Sequence, residues 1–282
     1  MTRIHQPNFI KSYGDFLSNG IYSIHSRFKN VINFISDEFL VSIVTEEIGA
    51  GPLNIVVSGF DLNNIHSLII EEKSFILNDL IYDIEASKRV DSTIKCEHII
   101  IEKLLSNLNI FKNCLSENSQ SKSLVFLLDE KRKKNFKTTF EKNFLRRIES
   151  GVRKISASKF IEGVKEIKGT GFGFTPSGDD FNCGLLYGLD ITSQVFKTDL
   201  TKLINEIYYA AKGSNPISNA FLRCAKQGLM FEKFKKLVFS ILYHDENKII
   251  ENTKRLCAVG ATSGADMGVG FLKAFEHFSR QG

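Results

Sequence analysis

The hydrophobic pattern of this chain changes its period near residue 137, and this change constrains the fold most strongly. Before it, short apolar runs rich in β-branched residues end at turn residues, as strands do. These predicted strands are 21–24, 39–44, 54–59, 68–70, 75–77, 98–101 and 123–128. After it, apolar residues recur at helical spacing, as Phe140, Phe144, Ile148 and Val152 show.

The two periods predict an α+β fold in which a strand-rich N-terminal half, a mainly antiparallel sheet or barrel, packs with a C-terminal helical bundle. Few helical segments separate the strands, which favours antiparallel pairing over βαβ units. The predicted domains are residues 1–135 and 136–282, with the boundary in the basic segment 131–136. A long loop inside one domain is the alternative there. Residues 49–52, Gly-Ala-Gly-Pro, predict a tight turn.

Composition excludes several classes of protein. A chain of 282 residues that is 43% hydrophobic can bury a substantial core. No apolar stretch approaches the ~20 residues of a membrane-spanning helix. Residues 1–11 lack the apolar region of a secretory signal. The five cysteines are scattered without metal-site spacing, which indicates reduced thiols and a cytoplasmic protein.

The formal charge of +5 is a mild excess, to which Lys131–Lys134 contribute much. We interpret this run as a solvated turn or helix start. Binding of nucleic acid would need a basic face interleaved with exposed aromatic residues, and the sequence shows no such pattern. A modest positive field suits a small anionic substrate.

One eight-residue pattern, S-G-x-D-x-x-x-G, occurs twice. The first copy is Ser177–Gly184 and the second is Ser263–Gly270, and each opens an apolar helical run. A glycine-rich loop, 169–175, precedes the first copy. The repeat predicts a quasi-symmetric pair of helix starts; two well-capped, closely packed helices without a ligand are the alternative.

Helix N-termini offer unpaired N–H groups and a positive dipole end, which together bind phosphate or carboxylate. We therefore expect a site for a small anion here, to which nearby hydroxyl groups add donors. The acids could instead hold Mg²⁺ or cap their own helices, so their role stays open; no cofactor is otherwise expected. The candidate binding residues are Gly171, Gly173, Thr175, Ser177, Gly178, Asp179, Asp180, Thr262, Ser263, Gly264 and Asp266.

Two further residues complete the candidate set. Ser214 lies in a polar segment before a predicted helix, where Ser214, Asn215 or Ser218 could also act as a simple cap. His25 follows a strand-like run and is either functional or a structural histidine. Cys183 lies in an apolar helical run and is expected to be core. No catalytic residue is identified.

The segment Thr175–Phe181, with Gly184 behind it, resembles the AllH-like family. Residues 25–33, 49–52, 214–225 and 262–267 are similar to other blocks of that family. Phe174 stands where the family commonly has Leu, and Ala261 where His is frequent.

The resemblance implies a subunit of an oxamate carbamoyltransferase that acts with FdrA-like and AllG-like subunits in anaerobic allantoin (purine) catabolism. The implied reaction converts oxalurate and phosphate to oxamate and carbamoyl phosphate, so the expected ligand is a small anion such as carbamoyl phosphate or oxamate. We also expect no binding to nucleic acid or membrane. The alternatives are a non-catalytic assembly or regulatory subunit, and a stand-alone Mg²⁺-dependent hydrolase.

Overall fold

The computed structural model describes residues 9–37, 39–59 and 61–278. Most of the N-terminal segment in which a secretory signal was sought therefore lies outside the described residues. The chain divides into two compact units. The first comprises Met1–Thr93 and Leu229–Glu232, and the second comprises Ile94–Gly228 and Lys233–Gly282.

The first unit contains one curled sheet, whose strands among the described residues follow the order β8-β7-β6-β2-β3-β4-β5-β1-β9. Only β4–β5 and β1–β9 pair in parallel, so the prediction of a mainly antiparallel sheet is confirmed. The strands are β1 (Ile10–Tyr13), β2 (Gly20–Phe28), β3 (Val31–Ser36), β4 (Phe39–Thr45), β5 (Asn54–Val57), β6 (Leu68–Ile70), β7 (Ser74–Leu77), β8 (Leu80–Asp83) and β9 (Lys88–Arg89).

The centre of this sheet is apolar along nearly every residue. Strand β4 buries Leu40 to Val44 without a break, because it lies between β3 and β5 and is covered on both faces. Ile32 pairs with Ile43 and Phe34 with Val41, and these four side chains belong to the core of the unit. The predicted strand 21–24 is extended by His25–Phe28 after a register shift, so β2 is longer than its apolar run.

The tight loop predicted at 49–52 lies between β4 and β5, and the turn hydrogen bond there runs from the N–H of Asn54 to the carbonyl of Gly51 at 3.2 Å. Gly49 adopts φ +91°, a conformation that side chains other than glycine rarely take. The N–H of Ala50 donates to Glu232 Oε2 at 3.0 Å, and the N–H of Glu232 donates to the carbonyl of Ala50 at 2.9 Å. This exchange ties residues 229–232 into the first unit.

The second unit is helical, as predicted for the C-terminal half. Its helix α2 shows why: Phe144, Ile148, Val152 and Ile155 form one buried stripe. The α-helices among the described residues are α1 (Ile101–Asn118), α2 (Thr139–Ser156), α3 (Phe160–Ile167), α4 (Ser177–Phe196), α5 (Thr201–Ala211), α6 (Pro216–Lys226), α7 (Glu232–Tyr243), α8 (Glu246–Cys257) and α9 (Ser263–Phe278).

Two predicted strands were wrong. Residues 98–101 end in the first residue of α1, and Leu124–Leu127 form a 3₁₀ helix. Both runs are short and apolar, and such runs do not distinguish a strand from a buried helical turn. The continuation of the first run, with Leu104, Leu108 and Leu115 buried, has the helical period.

The basic run 131–134 lies in another 3₁₀ helix, Glu130–Asn135, within the second unit. The first α-helix among the described residues begins at residue 101, earlier than the change of period near residue 137 indicates. The division into two domains, 1–135 and 136–282, stays a prediction.

Candidate functional site

The two S-G-x-D segments open α4 and α9, and these helices pack against each other. Their last glycines make the contact reciprocal. A Cβ on Gly184 would lie 1.9 Å from the carbonyl oxygen of Met267, and a Cβ on Gly270 would lie 2.1 Å from that of Phe181. Met267 and Phe181 occupy the same position in their copies, directly after the aspartate. The glycines therefore allow a backbone approach with approximate twofold symmetry.

The first glycine of each copy has an equally close neighbour. A Cβ on Gly178 or Gly264 would lie 1.9 Å from the carbonyl oxygen of Ile167 or Leu256, respectively. Gly178 N–H donates to Thr170 at 2.8 Å, and Gly264 N–H donates to Val259 at 3.1 Å. Each helix start therefore folds back on the end of the helix that precedes it.

The structural repeat is thus longer than the eight-residue motif. Thr170 and Val259 each donate an N–H to the residue three positions earlier, and each is followed by a glycine with positive φ. In the sequence this reads Ile-x-x-Thr-Gly at 167–171 and Leu-x-x-Val-Gly at 256–260. The first copy carries three extra residues between that glycine and its serine. This signal was present in the sequence and was missed.

Hydroxyl groups from the two copies meet where the helices begin. Thr175 Oγ1 lies 3.2 Å from Ser263 Oγ and donates to Asp180 Oδ2 at 3.1 Å. Thr175 and Ser263 are half-buried, whereas Asp180 is only 2% exposed. The meeting point therefore has hydroxyl groups near the surface and a carboxyl group beneath them.

Burial raises the pKa of Asp180 well above its usual range, and the nearby Asp266 raises it further, although the hydroxyl groups of Ser263 and Thr175 oppose the shift. Burial likewise raises the pKa of Asp266 to about 7, opposed by the Leu124 N–H and by the hydroxyls of Thr262 and Ser177. The aspartate of each copy is thus influenced by the serine of the other. Two carboxyl groups with raised pKa values therefore lie at the centre of the pair.

The acids do not cap their own helices. Asp266 Oδ1 accepts from the N–H of Leu124 at 2.6 Å, and Asp179 Oδ1 accepts from the N–H of Gly169 at 2.7 Å. Pro176 occupies the N-cap position of α4, without a side-chain cap hydrogen bond. Asp179 thus ties the glycine loop to α4, and Asp266 ties the 3₁₀ helix 124–127 to α9. Burial also raises the pKa of Asp179, against the effects of Gly169, Ser218 and Lys168.

The expectation of unpaired N–H groups at the start of α4 was largely wrong. Gly178 N–H donates to Thr170, and the N–H groups of Asp179 and Asp180 donate to the carbonyl of Pro176 at 2.9 and 3.1 Å. Tight folding of the glycine loop supplies these acceptors. What the two helix starts offer a ligand is their dipole and their hydroxyl groups rather than a row of open N–H donors.

The glycine loop 169–175 adopts left-handed backbone conformations at alternate residues, with φ +64°, +133° and +96° at Gly169, Gly171 and Gly173. A Cβ on Gly171 would lie 2.5 Å from the backbone nitrogen of Ser177, so the loop lies close against the start of α4. Gly173 has no such crowding, and it is exposed between Phe172 and Phe174. The tip of the loop is therefore open to solvent.

The third polar segment does meet this loop, through a residue that was not in the candidate set. Asn215 caps α6 by accepting from the N–H groups of Ile217 and Ser218 at 2.9 and 3.1 Å. Its Nδ2 donates to the carbonyl of Phe174 at 2.8 Å. Ser214 is exposed beside it and is not the cap. Asn215 therefore links the start of α6 to the glycine loop.

His25 belongs to the first unit, where it lies at an exposed position of β2, whereas the other candidate residues belong to the second unit. Its Nδ1 lies 3.2 Å from Ser26 Oγ, which accepts from Asn33 Nδ2 at 3.0 Å. A binding role for His25, as for the other candidates, stays a prediction. Cys183 is 2% exposed in α4, as expected for a core residue, and burial raises the pKa of its thiol well above the usual range.

A metal site finds no support in the geometry. Within residues 9–37, 39–59 and 61–278, no group of three or more His, Cys, Asp or Glu side chains is placed to hold a metal ion. One oxygen of each of two of the acids is already engaged, since Asp179 Oδ1 and Asp266 Oδ1 accept from N–H groups. In the same part of the chain, every helix falls short of the length and apolar character needed to cross a membrane.

Comparison with known proteins gives one match. Residues 167–275 match the family model described as oxamate carbamoyltransferase subunit AllH. No curated protein and no solved structure matches the chain. The matched range begins at Ile167, where the first structural repeat starts, and includes the whole of the second repeat up to Phe275 in α9. On this match, residues 167–275 are assigned to the AllH-like family.

Proposed function

We propose that the chain is a subunit of an oxamate carbamoyltransferase and that it holds a small anionic substrate where α4 and α9 begin. The matched family description supports the role as a subunit. The reaction proposed is the conversion of oxalurate and phosphate to oxamate and carbamoyl phosphate. The ligand is accordingly carbamoyl phosphate or oxamate, and FdrA-like and AllG-like proteins are the proposed partner subunits.

The observation that carries the proposal is the 3.2 Å approach of Thr175 Oγ1 and Ser263 Oγ. These hydroxyls come from two helix starts that are 88 residues apart in the chain. Both are half-buried, so a ligand that bonds them would be partly removed from water. Hydrogen bonds to a charged oxygen are stronger there than at a fully exposed site.

Charge at the site favours an anion more than the count of acids indicates. Both helix dipoles have their positive ends at this point. The raised pKa values of Asp180 and Asp266 favour the protonated, uncharged forms of these acids, which reduces their repulsion of an anion. A protonated carboxyl can also donate a hydrogen bond to an oxyanion.

The chemistry proposed needs a held substrate more than a covalent residue. An oxygen of phosphate attacks the carbamoyl carbon of oxalurate, the bond from that carbon to the bridging nitrogen breaks, and the proton of phosphate passes to the nitrogen of oxamate. Positioning and stabilisation of the oxyanion supply much of the rate in such transfers. The proposal assigns binding to the residues at the start of α4 and α9 and assigns no catalytic residue.

A non-catalytic assembly or regulatory subunit is the second candidate. It is favoured by the engagement of the first N–H groups of α4 with Thr170 and Pro176, which leaves hydroxyls as the main donors. The third alternative, a Mg²⁺-dependent hydrolase that uses Asp179, Asp180 and Asp266, has no comparable support. No group of three or more possible ligands among the described residues is placed to hold a metal ion, and one oxygen each of Asp179 and Asp266 accepts from a backbone N–H.

Calorimetric titration with carbamoyl phosphate, oxamate and phosphate tests the proposal, with the chain alone and with the FdrA-like and AllG-like subunits added. We expect binding that Thr175→Val and Ser263→Ala each weaken by about tenfold or more, because each removes a hydrogen bond to a charged group. Thr198→Val, in an exposed turn, is the matched control and should bind as the native chain does.

The outcomes separate the candidates. Absence of binding under both conditions would reject the anion site and favour the assembly role. Binding that the two variants leave unchanged would place the ligand elsewhere. A titration with Mg²⁺ that gives binding, lost in Asp180→Asn with the fold intact, would restore the hydrolase alternative.

A further inference from the structure

Two phenylalanine rings lie exposed beside the glycine loop. Phe140 in α2 is 62% exposed and Phe172 in the loop is 45% exposed, and their ring centroids are 5.2 Å apart in an edge contact. Phe174, two residues further along the loop, is 41% exposed. Neighbouring exposed aromatic side chains of this size are typical of protein interaction surfaces.

These rings rest on a buried aromatic cluster. Phe172 contacts the ring of Phe144 at 5.6 Å, and Phe144 stacks on Phe136 at 5.8 Å with an interplanar angle of 19°. Phe144 and Phe136 are 4% and 3% exposed. Phe172 is therefore held from below, so it loses little conformational entropy on binding, a property of interface anchors.

The segment around Phe140 is strongly basic. Residues 131–154 contain ten Lys and Arg and two Glu, a net charge of +8, whereas the whole chain carries +5. The rest of the chain is therefore slightly acidic. Both glutamates already have cationic partners, Lys122 for Glu141 and Lys133 for Glu149.

Three exposed cations of this segment, Lys137, Arg146 and Arg147, lie within seven residues of Phe140 in the chain. Arg147 follows Phe140 by seven residues and so lies on the same face of α2, where its Nε donates to the carbonyl of Glu166 at 2.6 Å. Lys137 precedes the helix by two residues. Arg146 Nη1 donates to Asn143 Oδ1 at 3.4 Å, which directs it toward the turn that carries Phe140. We call the set Phe140, Phe172, Phe174, Lys137, Arg146 and Arg147 the aromatic–basic patch.

We propose that the aromatic–basic patch docks an acidic surface of another subunit in the same complex. The proposal rests on the proposed function for the existence of that complex, and on charge complementarity for the nature of the surface. A second copy of this chain is a poor occupant, because a symmetric contact would bring two segments of charge +8 together. Because Phe172 and Thr175 share one loop, the docked subunit also covers the loop that leads to the candidate site.

Nucleic acid is disfavoured by the geometry of the rings. Bases stack on exposed aromatic faces. Here Phe172 packs against Phe144, and Phe140 meets Phe172 at an interplanar angle of 66°, so the rings present edges as much as faces.

Biolayer interferometry with immobilised full-length chain and the purified FdrA-like and AllG-like proteins tests the docking. We expect Phe140→Ser and the double variant Lys137→Glu, Arg146→Glu each to weaken binding of one of these proteins by about tenfold or more. The controls are Phe239→Ser, which removes a ring that is also 45% exposed, and Lys202→Glu, which reverses a charge whose side chain is 91% exposed. Thermal unfolding of every variant shows whether the fold is intact.

Each result decides the proposal. Loss of binding in the patch variants with retention in both controls supports it, as does weakening by added salt. Binding of neither protein, or equal binding by patch and control variants, overturns it. So does tighter binding of a single-stranded oligonucleotide probe, or dimerisation of the chain that the patch variants abolish. If neither protein docks while the chain still binds carbamoyl phosphate or oxamate, the docking proposal fails and the proposed function stands. If docking holds and no anion binds, the proposed function fails and the docking stands.

Discussion

Gly184 of α4 lies so close to the carbonyl of Met267 in α9 that a Cβ at this glycine would be 1.9 Å from the carbonyl oxygen. The equivalent pair, Gly270 and Phe181, repeats the contact in the opposite direction at 2.1 Å. The two helix starts, with their serines and aspartates, are thus held together by backbone contact. The candidate site depends on this contact.

Gly184→Ala should destabilise the protein by about 3 kcal/mol or more, because the methyl group overlaps with backbone and the helices must separate. In an unpacked helix the same change would stabilise by up to about 1 kcal/mol, so the sign is informative. Urea unfolding gives the value. Gly213→Ala, where nothing lies within 4 Å of the added Cβ, is the control and should change little. A neutral Gly184→Ala would contradict the close packing.

Asp266 should make stability fall as pH rises. Its pKa is raised to about 7 in the folded protein from an ordinary value near ~4 when unfolded. Between these two values the folded state binds more protons than the unfolded state, so the free energy of unfolding decreases with increasing pH in this window. Asp266→Asn cannot titrate, so its free energy of unfolding should decline less than that of the native protein.

The measurement is the difference between native and Asp266→Asn free energies of unfolding at several pH values from 4 to 7.5. Taking the difference removes the contributions of carboxyl groups that do not interact with Asp266. Asp180 does interact with it, and loss of the Asp266 charge also lowers the pKa of Asp180, which flattens the profile of the variant further. Asp199→Asn, at an exposed position where the pKa of the acid is lowered, should leave the slope nearly unchanged in this range, because its contribution to stability is lost only as the pH falls below about 4. Parallel pH profiles of the native protein and Asp266→Asn would show that Asp266 ionises normally.

Asn182→Leu should stabilise the protein by about 1 kcal/mol. Asn182 is fully buried in α4, and neither its Nδ2 nor its Oδ1 has a hydrogen-bond partner among the described residues. A buried amide without a partner costs about 1–3 kcal/mol, and Leu has the same branched arrangement of side-chain heavy atoms without that cost. Differential scanning calorimetry checks the direction. Thr253→Val is the contrasting variant, since its buried hydroxyl donates to Ile249 at 2.7 Å, and it should not stabilise.

Asn215→Ala should free the glycine loop from α6. The variant removes both the cap of α6 and the hydrogen bond to Phe174, and loss of a cap costs about 1 kcal/mol. Hydrogen exchange should therefore become faster in residues 169–175 as well as at the start of α6. Ser214→Ala, one residue earlier, should leave exchange unchanged. Faster exchange in α6 alone would show that the loop does not depend on Asn215.

Local patterns in the sequence predicted most of the elements but not all of them. Strand β4 and helix α2 can be recognised from the sequence alone. Strand β4 is apolar apart from Ser42 and Thr45, and α2 carries a regular helical stripe of apolar residues. Leu124–Leu127 cannot be recognised in this way, because four consecutive apolar residues are also typical of a strand. In the fold they form a 3₁₀ helix whose first N–H donates to Asp266. The bond between Leu124 and Asp266 joins residues far apart in the chain, and no local pattern encodes it.

The candidate site was predicted in its parts rather than in its connections. The repeated motif gave the serines, aspartates and glycines that meet at the start of α4 and α9. That Asp179 and Asp266 bind distant N–H groups, and that Thr175 reaches Ser263, follows only from packing. Asn215 was considered as a helix cap, but its second bond to Phe174 depends on where α6 lies in the fold.

The pairing of α4 with α9 also determines when the site can exist during synthesis. Thr175 and Ser263 are separated by 88 residues, so the glycine-lined side of α4 leaves the ribosome well before its partner is made. Until then Asp180 has only one of the two hydroxyl groups that bond to it in the finished protein, that of Thr175. A ribosome that pauses between the two copies therefore holds a chain with α4 complete and no site, and the site forms only when α9 closes against it.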